Sequence, residues 1–264
     1  MNKAILVVSF GTSYHETRKK TIEACENKIK ESFKDYDMFR AFTSNMIIKK
    51  LANRDKIHID NPVQALQKLY EEGYKEVIVQ TLHIINGEEF DKLQDQIKSF
   101  KCKFEKLALG KPLLTTIEDY KQTIDALKLQ IPNLKEDEAV VLMGHGTFHE
   151  AHASYPCLDY MLEEANIKAY VGTVEGYPEL ENVMTRLRKN NISKAILMPF
   201  MLVAGDHAIN DMASDEEDSW KSVLEKEGFN IEIYLKGLGE NSKIQDIFVS
   251  HINDLIKEEV ISNI

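Results

Sequence analysis

Three side chains of metal-ligating type each follow an apolar run in the second half of the chain. His145 comes just after residues 139–143, Glu175 just after 168–174, and His207 a few residues after 195–200. If those runs are strands of an open parallel sheet, all three residues face the crevice beyond the strands' carboxyl ends, where such sheets bind ligands. Neighbouring strands lie about 4.8 Å apart, so loops from adjacent strands can carry three side chains to one ion. Two imidazoles and a carboxylate suit a borderline divalent metal such as cobalt, nickel, iron or zinc and serve magnesium or calcium poorly. Gly144 and Gly146 flank His145, and Gly205 precedes His207 by two positions. Small neighbours let the backbone turn sharply and let a bulky ligand approach. A lone histidine at a strand end is usually just a polar loop residue; it is the coincidence of three ligand types at three strand ends that makes them a candidate metal site.

Other residues offer less. His149 and His152 share a helix face at i, i+3 and read as solvated. The string His149-Glu150-Ala151-His152 is not a zinc-protease HExxH, because Ala153 stands at the fifth position. His15, His58, His83 and His251 have no partner visible in sequence. The acidic run from Asp211 to Asp218 follows His207 and is expected to be a solvated helix face, with concentration of divalent cations as the alternative. Lys49, Lys50, Arg54 and Lys56 follow the second strand and could meet an anionic substrate or simply coat a solvated helix. Gly144-His145-Gly146 lacks the third glycine of a dinucleotide fingerprint, no P-loop is present, and Ser9 lacks the first glycine of a nucleophile elbow. ATP, an organic cofactor and serine acyl transfer are therefore not expected.

The elements that must position these residues follow from composition and pattern. The 264 residues are 43% hydrophobic and 29% charged, ordinary for a globular protein, with a net charge of −10. That charge argues against nonspecific nucleic-acid binding and against an anionic membrane surface. No apolar run approaches the ~20 residues a bilayer core needs. The opening apolar stretch is too short for a signal peptide and reads as a first strand. Cys25, Cys102 and Cys157 form no CxxC pair, which points to a reducing, cytoplasmic setting.

Short β-rich runs at 4–9, 38–42, 76–82, 104–107, 139–143, 168–174, 195–200 and 231–235 alternate with amphipathic stretches at 16–33, 61–73, 88–100, 117–131, 153–164, 178–189, 211–227 and 242–259. This predicts an α/β protein of two similar domains, each a mostly parallel sheet flanked by helices. The polar stretch 132–138 reads as a linker, placing the domains at 1–132 and 133–264. The strings around Phe10-Gly11-Thr12 and His145-Gly146-Thr147 align, as do residues 77–87 with 195–205, which makes a duplicated unit the economical account. In that alignment Phe10 takes the place of His145, and Glu89 that of His207.

Four strings, residues 7–13, 143–147, 172–178 and 199–211, together resemble the anaerobic sirohydrochlorin cobalt chelatases, which are class II, ATP-independent enzymes related to ferrochelatase. The resemblance spans essentially the whole chain, and its last two strings are the most specific. It implies two chelatase-like domains with a tetrapyrrole cleft between them. It implies that His145, Glu175 and His207 bind Co2+ as the substrate ion, with His145 also accepting a proton. It further implies ATP-independent cobalt insertion into sirohydrochlorin during cobalamin biosynthesis. Phe10, Gly11, Thr12, Arg54 and Glu89 are the expected substrate contacts, Phe10 packing on the macrocycle and Arg54 serving a local basic rim for a polyanionic substrate. Iron or nickel insertion, a His2Glu zinc hydrolase and a noncatalytic tetrapyrrole or metal carrier remain open alternatives. Some members of the family associate, so a homo-oligomer is compatible with the resemblance.

Overall fold

The computed structural model describes residues 2–262, with side chains described through residue 257. Two units divide the chain: Met1–Thr115 with Ser242–Ile264, and Thr116–Asn241. In the first unit the buried apolar runs become β1 (Lys3–Ser9), β2 (Asp37–Phe42), β3 (Glu76–Thr81) and β4 (Lys106–Gly110). All pairs are parallel and the order is β2-β1-β3-β4. Between them lie α1 (His15–Lys20), α2 (Ile22–Ser32), α3 (Asn45–Asp55), α4 (Pro62–Glu71) and α5 (Glu88–Lys98).

The second unit starts with α6 (Ile117–Lys128). It continues through β5 (Glu138–Gly146), α7 (Ser154–Glu164), β6 (Ala169–Glu175), α8 (Leu180–Lys189), β7 (Lys194–Phe200), α9 (Trp220–Lys226) and β8 (Asn230–Ile233). Its sheet, β6-β5-β7-β8, repeats the strand order of the first, again wholly parallel. Two similar α/β domains are therefore present. The final helix, α10 (Ser242–Ser262), returns to the first unit.

Strand alternation builds each core. In the first unit Ala4, Leu6 and Val8 of β1 pack with Leu66 and Leu69 of α4 and Phe90, Leu93 and Ile97 of α5. α10 packs against α2, β3 and β4, burying Ile244, Ile247, Phe248 and Ile252. In the second unit Ala139, Val141 and Met143 of β5 pack with Val183 and Leu187 of α8 and Trp220 and Leu224 of α9. α7 lies against β6, and α6 against α7.

The boundary expected at 132/133 is corrected on both sides. α6 buries Tyr120, Ile124 and Leu127 within the second unit, and α10 buries its stripe within the first. Local polarity marks a linker but not the sheet against which an amphipathic helix will pack. Three helices also differ from expectation. The stretch 16–33 is split at Thr21, whose hydroxyl donates to the Thr17 carbonyl at 2.6 Å, a back-bond that bends helices. Residues 45–55, which carry Lys49, Lys50 and Arg54, form a full helix capped by the Ser44 side chain. The stretch 211–227 is not one helix: a π-helical turn occupies Ala208–Met212, and α9 begins only at Trp220, capped by Ser219.

Candidate metal centre

The backbone first dictates where His145 goes. Ala139, Val141 and Met143 anchor one face of β5 in the core, and alternation puts His145 next on that face. Gly144 is the last residue flanked on both sides, by Thr173 of β6 and Phe200 of β7, so His145 emerges where the sheet ends and is exposed. Ala208 and Met212 pack into the same core cluster and fix the π-helical turn. His207 stands immediately before that turn. Strand β7 neighbours β5, so the two histidines meet: their rings stand edge to face with centroids 4.6 Å apart. Two imidazoles sharing one ion at a metal–nitrogen distance of about 2.1 Å have centroids roughly 4.6 Å apart at a right angle and roughly 5.3 Å apart at a tetrahedral one.

The tautomers follow from the hydrogen bonds. His145 Nδ1 lies 3.0 Å from the Gly146 carbonyl, and His207 Nδ1 lies 2.5 Å from Oδ2 of Asp211. Both oxygens accept, so each Nδ1 carries a hydrogen, and the tautomer this selects is the one with the lone pair on Nε2. Two lone-pair nitrogens on adjacent rings are candidate ligands for one ion.

Glu175 ends β6, in register with Gly146. That pairing is backbone on backbone: Gly146 has φ +81°, and a Cβ there would lie 1.7 Å from the Glu175 carbonyl oxygen. The loop that follows is pinned by Thr173, whose N–H and hydroxyl both donate to the Pro178 carbonyl at 2.7 and 2.9 Å. Glu175 thus stands at the same rim as the histidines with its side chain exposed. Among the described residues, no three His, Cys, Asp or Glu side chains form a cluster that could hold an ion. The structure gathers the two histidines and leaves the carboxylate outside their pair. Behind them, the buried Tyr155 hydroxyl accepts the Gly146 N–H at 3.2 Å, and burial pushes its pKa up to about 12. It braces the strand end as a neutral group.

The remaining predicted residues lie in the first unit. Phe10 follows β1 as His145 follows Gly144, and its ring is 48% exposed. Gly11 has φ +96°, and Phe42 fills the space a Cβ would need. Thr12 is buried and its hydroxyl accepts the Tyr14 N–H at 3.2 Å. Arg54 donates to both Asp55 carboxylate oxygens and to the Ser13 carbonyl, so its charge is already partly compensated. Glu89, in the first turn of α5, pairs with Lys92 at 3.1 Å.

Two readings change. The acidic run 211–218 is no helix face: Asp211 holds His207, and Asp215 pairs with Lys221. His83 has a partner after all, the Thr81 hydroxyl at 2.6 Å from Nδ1, and His251 bonds the Lys111 carbonyl at 3.1 Å. Asp211 and Tyr155 are site residues that pattern reading missed. The i, i+4 spacing of His207 and Asp211 was the available signal; nothing local pointed to Tyr155.

The fold is that of chelatases, and the sequence comparisons place the chain in that class. SirB from Bacillus subtilis, solved with Fe3+, shares the fold with a TM-score of 0.66 at 15% identity, covering 96% of this chain and 95% of that one. The chain belongs to the cobalt chelatase (CbiK) family, whose sequence profile matches residues 3–257. It is 50% identical over 260 residues to the sirohydrochlorin cobaltochelatase of Salmonella typhimurium, covering 98% of each chain. It is 34% identical over 253 residues to the sirohydrochlorin cobaltochelatase CbiKC of Nitratidesulfovibrio vulgaris, covering 95% of this chain and 89% of that one. No described helix is long and apolar enough to cross a membrane.

Proposed function

We propose that this protein inserts Co2+ into sirohydrochlorin without ATP, in the cytoplasm, on a route to cobalamin. The observation that carries the reading is the His145–His207 pair, held 4.6 Å apart with both Nε2 lone pairs available. Metal insertion must strip water from the ion and remove two protons from pyrrole nitrogens. Neutral imidazole suits both tasks near neutral pH, since it can hold the ion and then accept a proton. Two rings with no enclosing third ligand leave the ion's other positions open, as transfer to a macrocycle requires; a closed tetrahedral shell would retain the metal. The exposed Glu175 carboxylate offsets part of the ion's charge and offers protons a way to solvent. Phe10, Gly11, Thr12, Arg54 and Glu89 are the first unit's proposed substrate contacts. The absence of a P-loop in the sequence supports insertion without ATP.

The test is multiple-turnover insertion of Co2+ into sirohydrochlorin, followed by tetrapyrrole absorbance, with ATP omitted and with Fe2+ and Ni2+ assayed alongside. His145→Ala and His207→Ala should each reduce the rate by at least a hundredfold in folded protein. Wild-type rates from either variant, or a product yield that stops at one equivalent, would overturn the reading.

A further inference from the structure

Asp211 lies on the side of His207 away from the ligating nitrogen. Its Oδ2 takes the Nδ1–H at 2.5 Å, and the two nitrogens of an imidazole point away from each other. Asp211 therefore cannot share an ion with Nε2 of the same ring. The π-helical turn places it there: His207 stands immediately before the turn, and Ala208 and Met212, both fully buried, key its backbone into the core. Such π-helical turns are frequent at functional sites. His207 itself is half-exposed, with 39% of its side chain open to solvent, so packing alone does not fix its ring. His145 by contrast bonds a backbone carbonyl, which no side-chain substitution removes.

We propose that Asp211 is the positioning residue for His207. It selects the Nδ1–H tautomer and turns the ring so that Nε2 meets the substrate ion beside His145. The inference rests on His207 being an ion ligand, and it assigns that ligand's competence to a neighbour outside the first coordination sphere. A carboxylate accepting from the far nitrogen of a ligating histidine also raises the basicity of the near one, and removing such a partner typically lowers metal affinity about 10–100-fold.

The experiment uses the full chain with Co2+ alone, without tetrapyrrole, so that ligation is read apart from turnover. Binding is followed by the visible absorption of the bound ion in the wild type, D211A, D211N and H207A. The tautomer of His207 is read separately from imidazole 15N shifts in metal-free protein at a pH where the ring is neutral. Asp211→Ala should weaken Co2+ binding roughly 10–100-fold and convert a single Nδ1–H tautomer into a mixture. Asp211→Asn, whose amide oxygen can still accept the Nδ1–H, should restore the tautomer and most of the affinity. In the insertion assay D211A should lower kcat with the KM for sirohydrochlorin unchanged. D211A with wild-type affinity and an unmixed tautomer would overturn the inference, as would D211N no better than D211A. H207A with wild-type affinity would instead overturn the metal-site reading beneath it.

Discussion

The closest backbone approach in the candidate site makes a quantitative prediction. Gly146→Ala adds one methyl group at a position with φ +81°, 1.7 Å from the Glu175 carbonyl oxygen. The carbonyl would have to retreat by roughly 1.3 Å to reach the shortest separation that real contacts show. Holding alanine at positive φ costs about 1–2 kcal/mol. Forcing a methyl group into packed surroundings costs about 1–3 kcal/mol more. The expected loss is therefore about 2–5 kcal/mol in urea or guanidinium denaturation. The retreat also moves Glu175 away from the strand that carries His145, so Co2+ binding and insertion should fall in protein that still folds. Gly228→Ala is the internal control: Gly228 has φ +91°, but a Cβ there meets nothing within 4 Å. It should cost only the conformational term of about 1–2 kcal/mol and leave insertion intact. Equal destabilisation by the two substitutions, or full Co2+ binding by G146A, would refute the claim that strand-end contact positions the site.

Two further outcomes are expected. Burial holds the His83 imidazole at a pKa of about 4, only partly opposed by the charge of Glu89. The unfolded chain takes up this proton near pH 6.5 and the native protein only near 4, so the unfolded state binds more protons in between and stability falls as the pH drops through that window. The contribution reaches roughly 3 kcal/mol; His83→Gln should flatten the pH dependence of denaturation between pH 7 and 4.5, and a parallel curve would count against it. Tyr155→Phe removes the acceptor for the Gly146 N–H. It should cost about 1 kcal/mol, more if no water replaces the hydroxyl, and an unchanged denaturation midpoint would show that Tyr155 does not brace the strand.

Much of this architecture was legible because it rests on local pattern. Apolar runs such as Ala4–Ser9 and Ala195–Phe200 are buried on both faces, as strands of a covered parallel sheet must be, and they lie where expected. Residues just past such strands cluster at one rim, so His145 and His207 could be paired before any coordinates. What escaped depends on distant packing. The helices at 117–128 and 242–262 each carry an apolar stripe, but the stripe does not name the sheet it will cover. The run after His207 was read as one helix, yet Asp215-Glu216-Glu217-Asp218 offers no apolar side chain to hold a helix down, and the chain turns instead. Tyr155 was unreadable because its partner is a backbone N–H on another element. Glu175 is exposed at its strand end, and spacing along the chain does not encode the direction an exposed side chain takes.

The return of α10 to the first sheet sets an order of events during synthesis. When residue 115 leaves the ribosome, β3, β4 and α2 lack the helix that will cover them, and the His251–Lys111 and Lys28–Asp246 contacts have no far half. The insert 116–241 holds all of its own elements and can close as soon as it emerges. Translation thus completes the unit that carries the histidine pair first, although it is encoded second. A chain that stops after residue 241 but before α10 would carry both histidines and a first-unit sheet still lacking its last helix.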